Sequence, residues 1–408
     1  MRVRELLSRR RVAVAYLGLA LLAALAVGCT DDSVTGVDEA QVPDLAAEEL
    51  RVWRGGGGVT VMTWNVYVGA DLESVLGGAP VADAFEALLA ANFPERAKAI
   101  ARQVARFRPH LIGLQEISRI YTQTPSDDEV FGGDDTPATD EFMDYLKILQ
   151  GALESRGLDY RVAGEVTNFN VEMPMLTGED PYNPDDYVDV RLEDWEVVLA
   201  RGDVEISRVA EGSYYYRVID PGTGIEFPCG YVAVEAAVGH KAYRFVSTHL
   251  QALWEGMEED LLELQLAQAQ ELVGLLQGET IPVIVVGDFN SRAAGGEPYE
   301  RETYNFMLGA GYVDTWTRNL NPFEGEGLTN AQGYFDLTDP TRVFDQRIDF
   351  IFARNDIPIG KQPAIGPVIA TVVGDAQDDR ATPTGLWPSD HAGIVARLHF
   401  PRVKASRQ

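Results

Sequence analysis

Residues 281–290, IPVIVVGDFN, join an apolar run to a polar end in a way that suits chemistry. Asp288 and Asn290 lie two residues apart on an extended chain, so both side chains project from the same rim into one crevice. Such a pair can hold a metal ion or orient a water. Gly, Asp and Asn are also ordinary turn residues, which leaves a plain turn as the alternative. Similar polar ends recur: Asn65 in TWN, Glu116 in LQE, His249 in STHL, Asp349 in RIDFIF, and Asp390 with His391 in SDH. Singly, each has a structural explanation: Asn65 closing a turn, Glu116 or Asp390 capping neighbours, Asp349 paired with Arg347, either His a hydrogen-bonded core residue. Six carboxylate, amide or imidazole groups in succession at strand boundaries do not reduce to six such coincidences.

The elements that must position these groups are legible from periodicity. Residues 283–286 are branched and apolar throughout, the composition of a strand buried on both faces. A strand over 59–64 ends at Asn65. Ala97, Ile100, Val104 and Phe107 recur at helical spacing over 94–107, Pro109 ends the helix, and a buried strand over 111–114 runs into Gln115 and Glu116. This β-α-β unit predicts neighbouring strands with polar ends on one side. A helix is expected over 141–156, and strands over 196–201, 204–209, 214–219, 231–237 and 242–248. An amphipathic helix over 257–276, with Leu261, Leu264, Leu272 and Leu275 against a sheet, then leads into the 282–286 strand. A helix over 299–308, a strand over 347–352, a polar loop and a strand over 393–398 complete the chain. Residues 121–140 and 173–190 read as solvated, Asp- and Pro-rich insertions able to shape a cleft; a calcium or substrate role is the alternative for the first.

The first 11 residues carry five Arg and one Glu, and 12–27 are apolar apart from Tyr16 and Gly18. That is the shape of an export signal, too short for a confident membrane span. LAVGC at 25–29 resembles a bacterial lipobox, with Ala26 where Leu is usual, and would make Cys29 a lipidated first residue. The expected organisation is a lipoprotein signal peptide at 1–28, an acidic, Gly-rich tether at 29–58, one large domain at 59–402 and a tail at 403–408. The only other cysteine, Cys229, leaves no internal disulfide framework and reads as a small buried residue. The net charge is −29, and removal of 1–28 takes away five Arg and one Glu, leaving −33. Extended duplex binding driven by counterion release is disfavoured, although bound divalent cations reverse the field locally.

The ordered set TWN, LQE, STHL, GDFN, RIDFIF and SDH resembles the endonuclease/exonuclease/phosphatase superfamily, over nearly the whole domain. That group contains pancreatic-type deoxyribonucleases, bacterial sphingomyelinases, inositol polyphosphate phosphatases and AP endonucleases. The resemblance implies an α/β fold, a four-layer α/β sandwich in which two mixed β-sheets pack face to face with helices on the outside. Phosphoester cleavage needs neutralised non-bridging oxygens, an aligned water and help for the leaving oxygen. On that basis Glu116, helped by Asn65 and Asp390, would hold Mg2+, with Mn2+ or Ca2+ as alternatives. Asp288 would orient or deprotonate the water, and Asn290 would bind a phosphate oxygen or that water. His391, fixed by Asp349, would act at the reacting phosphate and His249 opposite it. Asp194 stands where deoxyribonuclease-like members carry the carboxylate partner of this second His; Glu196 and Glu193 are alternatives. The His in STHL, where AP endonucleases carry an Asn-containing segment, makes abasic-site repair a poor fit.

The expected activity is therefore metal-dependent hydrolysis of an extracytoplasmic phosphodiester, in nucleic acid or in a phospholipid headgroup. The chain would be lipid-anchored to a bacterial membrane, the outer membrane among the options, or at the cell surface. No protein partner is implied. The alternatives are a phosphomonoesterase of the same group and a surface binding lipoprotein that keeps the fold without turnover.

Overall fold

The structure is a computed structural model describing residues 58–131, 133–219, 225–254, 256–321, 324–331, 336–355 and 365–400. The expected signal peptide, the tether with Cys29 and the tail at 403–408 lie outside the described residues. The first part of the chain gives β1 (Val59–Asn65), α1 (Leu72–Leu76), α2 (Val81–Ala91), α3 (Phe93–Phe107), β2 (Leu111–Gln123), β3 (Asp140–Asp144) and α4 (Tyr145–Glu154). Strands β4 (Tyr160–Leu176), β5 (Tyr187–Arg201), β6 (Glu205–Ser213), β7 (Val218–Ile219), β8 (Glu226–Phe227), β9 (Gly230–Val238) and β10 (Lys241–His249) follow. The rest comprises α5 (Glu258–Leu275), β11 (Val283–Asp288), α6 (Glu302–Gly309), β12 (Val313–Asp314), β13 (Asp349–Arg354), β14 (Val368–Val373) and β15 (Gly393–Leu398). Among the described residues no helix is long and apolar enough to cross a membrane.

Two compact units are present. The smaller comprises 123–136 and 174–189 among the described residues. Inside it Asp189 accepts from the Ser126 hydroxyl and, at 2.9 Å, from the Asp127 amide, and Phe131 lies 4.7 Å from Tyr187 between ring centres. The larger, 58–122, 137–173 and 190–400, carries the two sheets. One has the order β14-β15-β1-β2-β5-β4 with β3 on β2; the other has β12-β13-β11-β10-β9-β6. Each is mixed: β1 and β2 are parallel, as are β10 and β11, while β15 runs against β1 and β13 against β11.

Alternation sorts the side chains into layers. Val59, Val61, Leu111 and Ile394 of one sheet share a buried core with Phe245, Ile284, Val286 and Ile351 of the other, so the sheets pack face to face. The intervening residues Val246, Val283, Val285, Phe350 and Phe352 point the opposite way, onto Ala269 and Leu272 of α5 and Tyr304 and Met307 of α6. On the other sheet α3 links the parallel pair β1 and β2, and its Phe93 stacks on Tyr145 of α4 at 3.7 Å. The four-layer sandwich expected from the sequence is the fold.

Local expectations fail in instructive places. The helix expected from 141 begins at Tyr145, because Asp140–Asp144 pairs with β2 and Asp144 caps the helix by accepting from the Lys147 amide. On α5 Leu261 and Leu272 are buried, but Leu275 is 49 % exposed. Gln265 and Gln268 complete the buried stripe instead. Gln265 Nε2 donates to the carbonyls of Gln251 and Asn290 at 2.8 and 2.9 Å, tying the helix to the loops beyond β10 and β11.

Candidate active site

Strand direction brings the polar ends together. Asn65, the last residue of β1, pairs with Gln115 where the parallel β1–β2 ladder ends, and His249 and Asp288 pair at the ends of parallel β10 and β11. Asp349 faces Asp288 because β13 enters the sheet antiparallel at that rim. β15 likewise begins opposite the end of β1, which places Asp390 and His391 there. Two backbone irregularities aim the side chains. Glu116 follows Gln115, whose side chain points between the sheets to Ser247 at 3.0 Å, so strict alternation would turn Glu116 away. Its left-handed φ of +59° interrupts the alternation. The carboxylate then accepts from Asn65 Nδ2 and from the Val68 amide, both at 2.7 Å. Gly287 has φ +143°, and a Cβ there would lie 1.8 Å from the Thr248 carbonyl oxygen, so no side chain fits just before Asp288.

Asp288 is the buried hub. Its Oδ2 accepts from Asn65 Nδ2 at 3.1 Å and lies 3.6 Å from His249 Nε2 and 3.7 Å from His391 Nε2. Its Oδ1 accepts from the Asn290 amide at 2.9 Å. Asn290 Nδ2 meets His249 Nε2 at 3.1 Å and donates to the Leu250 carbonyl at 2.9 Å. Asp349 Oδ2 is 2.9 Å from His391 Nδ1, and the amide of Asn330 is 2.8 Å from His391 Nε2. Burial opposes charge on His391, but Asp349 and Asp288 outweigh it and hold the imidazolium up to about 10. Asn330 meets Nε2 through Nδ2, and because a protonated ring donates through both nitrogens, that charge state calls for the side-chain amide turned over, with its oxygen accepting from Nε2. Burial, and then the charge of Asp349, raise the Asp288 acid above the usual carboxylate range, against the pull of the two histidines.

Glu116, Asp194 and Asp390 form a second acidic group beside this hub, in charge contact through Glu116 and lining a cavity that His249 also lines. Burial, and then the charge of Glu116, raise Asp194 to about 7; burial raises Asp390 to about 6, with Glu116 adding to it against the pull of His391. Repulsion among oxygen donors is what a hard divalent cation relieves, so the residues present fit Mg2+ or a similar ion. Asp288, Asp349 and His391 also place one donor atom each within 4.8 Å of one another, and Asp349 Oδ1 is buried without a hydrogen-bond partner. That set includes an imidazole held protonated, which suits a hard cation less well than the oxygen-only group.

All nine residues expected from the sequence gather at this rim. Asp349 pairs with His391 as the catalytic reading expects, and the alternative pairing with Arg347 does not form, since Arg347 pairs with Asp314 at 2.7 Å. Asp194 accepts from Asn168 Nδ2 at 2.9 Å and reaches His249 through charge rather than through a hydrogen bond among the described contacts. Of the alternatives to it, Glu193 pairs with Arg191, and Glu196 accepts from the Ser247 hydroxyl at 2.9 Å between the sheets. Sequence reading missed Asn330, which lies in a polar loop without periodicity. It also missed Arg96, a fully buried cation on α3. Arg96 donates to the carbonyls of Val66, Tyr67, Ala91 and Pro388 at 2.5 to 3.0 Å, joining the segments behind Asn65 and before Asp390. A charged residue on an otherwise apolar helical stripe was the available signal.

Residues 62–391 match the family model described as Endonuclease/Exonuclease/phosphatase family. Among solved structures, an endonuclease/exonuclease/phosphatase family protein from Leptotrichia buccalis is 18 % identical, with a TM-score of 0.50 over 84 % of this chain and 100 % of that one. An endonuclease/exonuclease/phosphatase from Beutenbergia cavernae is 20 % identical, with a TM-score of 0.51 over 84 % of this chain and 71 % of that one. A mannosyl-6-phosphatase from Bacteroides thetaiotaomicron is 15 % identical over 84 % of this chain and all of that one, with a TM-score of 0.47. No curated protein matches by sequence.

Proposed function

This chain belongs to the endonuclease/exonuclease/phosphatase family of divalent-metal-dependent phosphoester hydrolases, and we propose that it cleaves a phosphodiester outside the cytoplasm by direct attack of water. The observation that carries the reading is the meeting of Asp288, His249 and the Asp349–His391 pair beside the Glu116–Asp390 carboxylates. Glu116, Asn65 and Asp390 would hold the cation, which neutralises charge on the non-bridging oxygens. Asp288 accepts the proton of the attacking water, and Asn290 positions that water or a phosphate oxygen. The water oxygen bonds to phosphorus and the P–O bond to the leaving alcohol breaks. His249 donates the proton that the leaving oxygen takes up. His391, kept charged by Asp349, faces the phosphate as a cation, and Asp194 lines the same cavity as His249.

The diester reading is favoured over a monoesterase by the cavity that opens beside the same carboxylates, which leaves room for a second group on the phosphate. Attachment to a membrane through Cys29 is part of this proposal and rests on the sequence pattern alone. The test is hydrolysis by the full chain of bis(4-nitrophenyl) phosphate against 4-nitrophenyl phosphate, with Mg2+ and then with EDTA. The expected result is Mg2+-dependent turnover with the diester preferred. Preference for the monoester would overturn the diester reading, and metal-bound protein turning over neither would favour a binding lipoprotein.

A further inference from the structure

A cavity of about 350 Å³ is lined by Glu116, Asp194, His249 and Asp390 together with a largely apolar set of side chains. That size falls at the lower end of cavities that bury small ligands, roughly 300–1,000 Å³. One wall is helical: Leu72 and Val75 of α1, and Phe85 and Leu88 of α2. The other is aromatic, with Phe169, Phe227 and Trp254 in file at centroid distances of 6.3 and 5.7 Å, the second contact edge-on. The wall residues Leu72, Phe169, Phe227 and Trp254 all keep part of their surface in solvent. Among the described residues no Lys or Arg lines the cavity, and Asp71 and Glu73 add two further acids to its edge.

Building on the phosphodiesterase reading, we infer that the substrate is an amphiphilic phosphoester whose apolar chain lies in this groove while its phosphate sits at the Glu116–Asp390 end. Continuity points to the occupant: a group bonded to the reacting phosphate must leave the site through whatever adjoins it, and here a largely apolar cavity does. Charge selects against the competing polymer. A nucleic acid would bring a second phosphate into a channel that has acids at its edge and no cation, in a chain of net charge −29. An alkyl chain carries no charge, and its transfer from water onto aliphatic and aromatic walls is favourable for every methylene buried. Flat, rigid rings lose little freedom on contact, which makes the Phe169–Phe227–Trp254 file an effective platform for a flexible chain.

The inference is tested with the full chain and Mg2+ on alkyl 4-nitrophenyl phosphodiesters running from methyl to octyl, all monomeric in water. kcat/KM is expected to rise at least tenfold from methyl to octyl. Leu72→Asp and Trp254→Ala should each lower the octyl value at least fivefold more than the methyl value. A flat series with measurable methyl turnover overturns the groove assignment and leaves the phosphodiesterase in place. Calorimetric binding of methylphosphonate and octylphosphonate gives the groove its own readout. An octyl Kd at least tenfold tighter, lost in both variants, supports the assignment even if no diester is cleaved, in which case only the catalytic reading fails. Equal Kd values overturn it, as does a dinucleotide cleaved faster than the octyl diester. An octyl Kd that weakens as protein concentration rises assigns the groove to a second copy of the chain and equally overturns it.

Discussion

His391 concentrates the electrostatics of the site. Two buried carboxylates hold its imidazolium up to about 10, above the value near 6.5 of an unfolded histidine. A raised value means that the folded state binds this proton more tightly. The stabilisation is complete below about 6.5 and is lost as the pH climbs through about 10. The melting temperature of the full chain is therefore expected to fall across that window. His391→Gln, which cannot take up the proton, should flatten this part of the profile; an unchanged slope in the variant would remove His391 as its source. The same charge governs chemistry, because a ring that stays protonated at neutral pH serves the phosphate as a cation. Residue identities and their order were what the sequence made readable here. The pairing of Asp349 with His391 was readable with them, while the partner of Arg347 was not: Arg347 lies just before β13 and pairs with Asp314.

At the scale of elements, the site depends on where strands stop and how they turn. Gly287 is the clearest case, with a positive φ and a virtual Cβ 1.8 Å from the Thr248 carbonyl oxygen. Gly287→Ala should destabilise the fold by more than the roughly 1–3 kcal/mol that backbone strain alone costs, since the clash with backbone adds to it. Urea unfolding measures this directly, and a loss under about 0.5 kcal/mol, the range of an ordinary surface change, would contradict the local geometry. Strands buried on both faces were legible as continuous apolar runs: 393–398 was expected and found without change, and 94–107 differs from α3 only at its first residue. β4 was not, because one face is half-buried and its Asn, Glu, Thr and Met follow neither period cleanly. α2 and β14 went unread as well, the first an Ala-rich helix between two polar turns, the second hidden in a stretch taken for a polar loop. The apolar groove was illegible for a related reason. Its walls come from α1, α2, β4, β8 and the segment after β10, which are scattered over the chain and meet only in the fold.

Over the whole molecule, acidic charge and the fold act on the same end of the sandwich. An acidic body with Glu116, Asp194, Asp288, Asp349 and Asp390 gathered at one rim is stabilised by any cation that binds only when they are assembled. Mg2+ at about a hundred times its Kd should add about 2.7 kcal/mol of stability, and EDTA should remove it. Glu116→Gln, which keeps the size and one oxygen but not the charge, is expected to abolish most of the Mg2+-dependent rise in melting temperature. A full rise in that variant would place the ion elsewhere. Packing helps the rim carry this charge: Val59, Val61, Ile284, Val286 and Ile394 fill the core between the sheets with apolar side chains.

The most direct test of the central claim is the Mg2+-dependent kcat of the full chain on bis(4-nitrophenyl) phosphate, compared with Asp288→Ala and His391→Ala after their melting curves show them folded. Each substitution removes a group placed to move a proton or meet the phosphate, and such groups contribute roughly 10²–10⁴-fold. Both variants should lose turnover by at least that lower figure while still binding Mg2+. Undiminished kcat in both would contradict the assignment of this rim as the place where the phosphoester is cleaved.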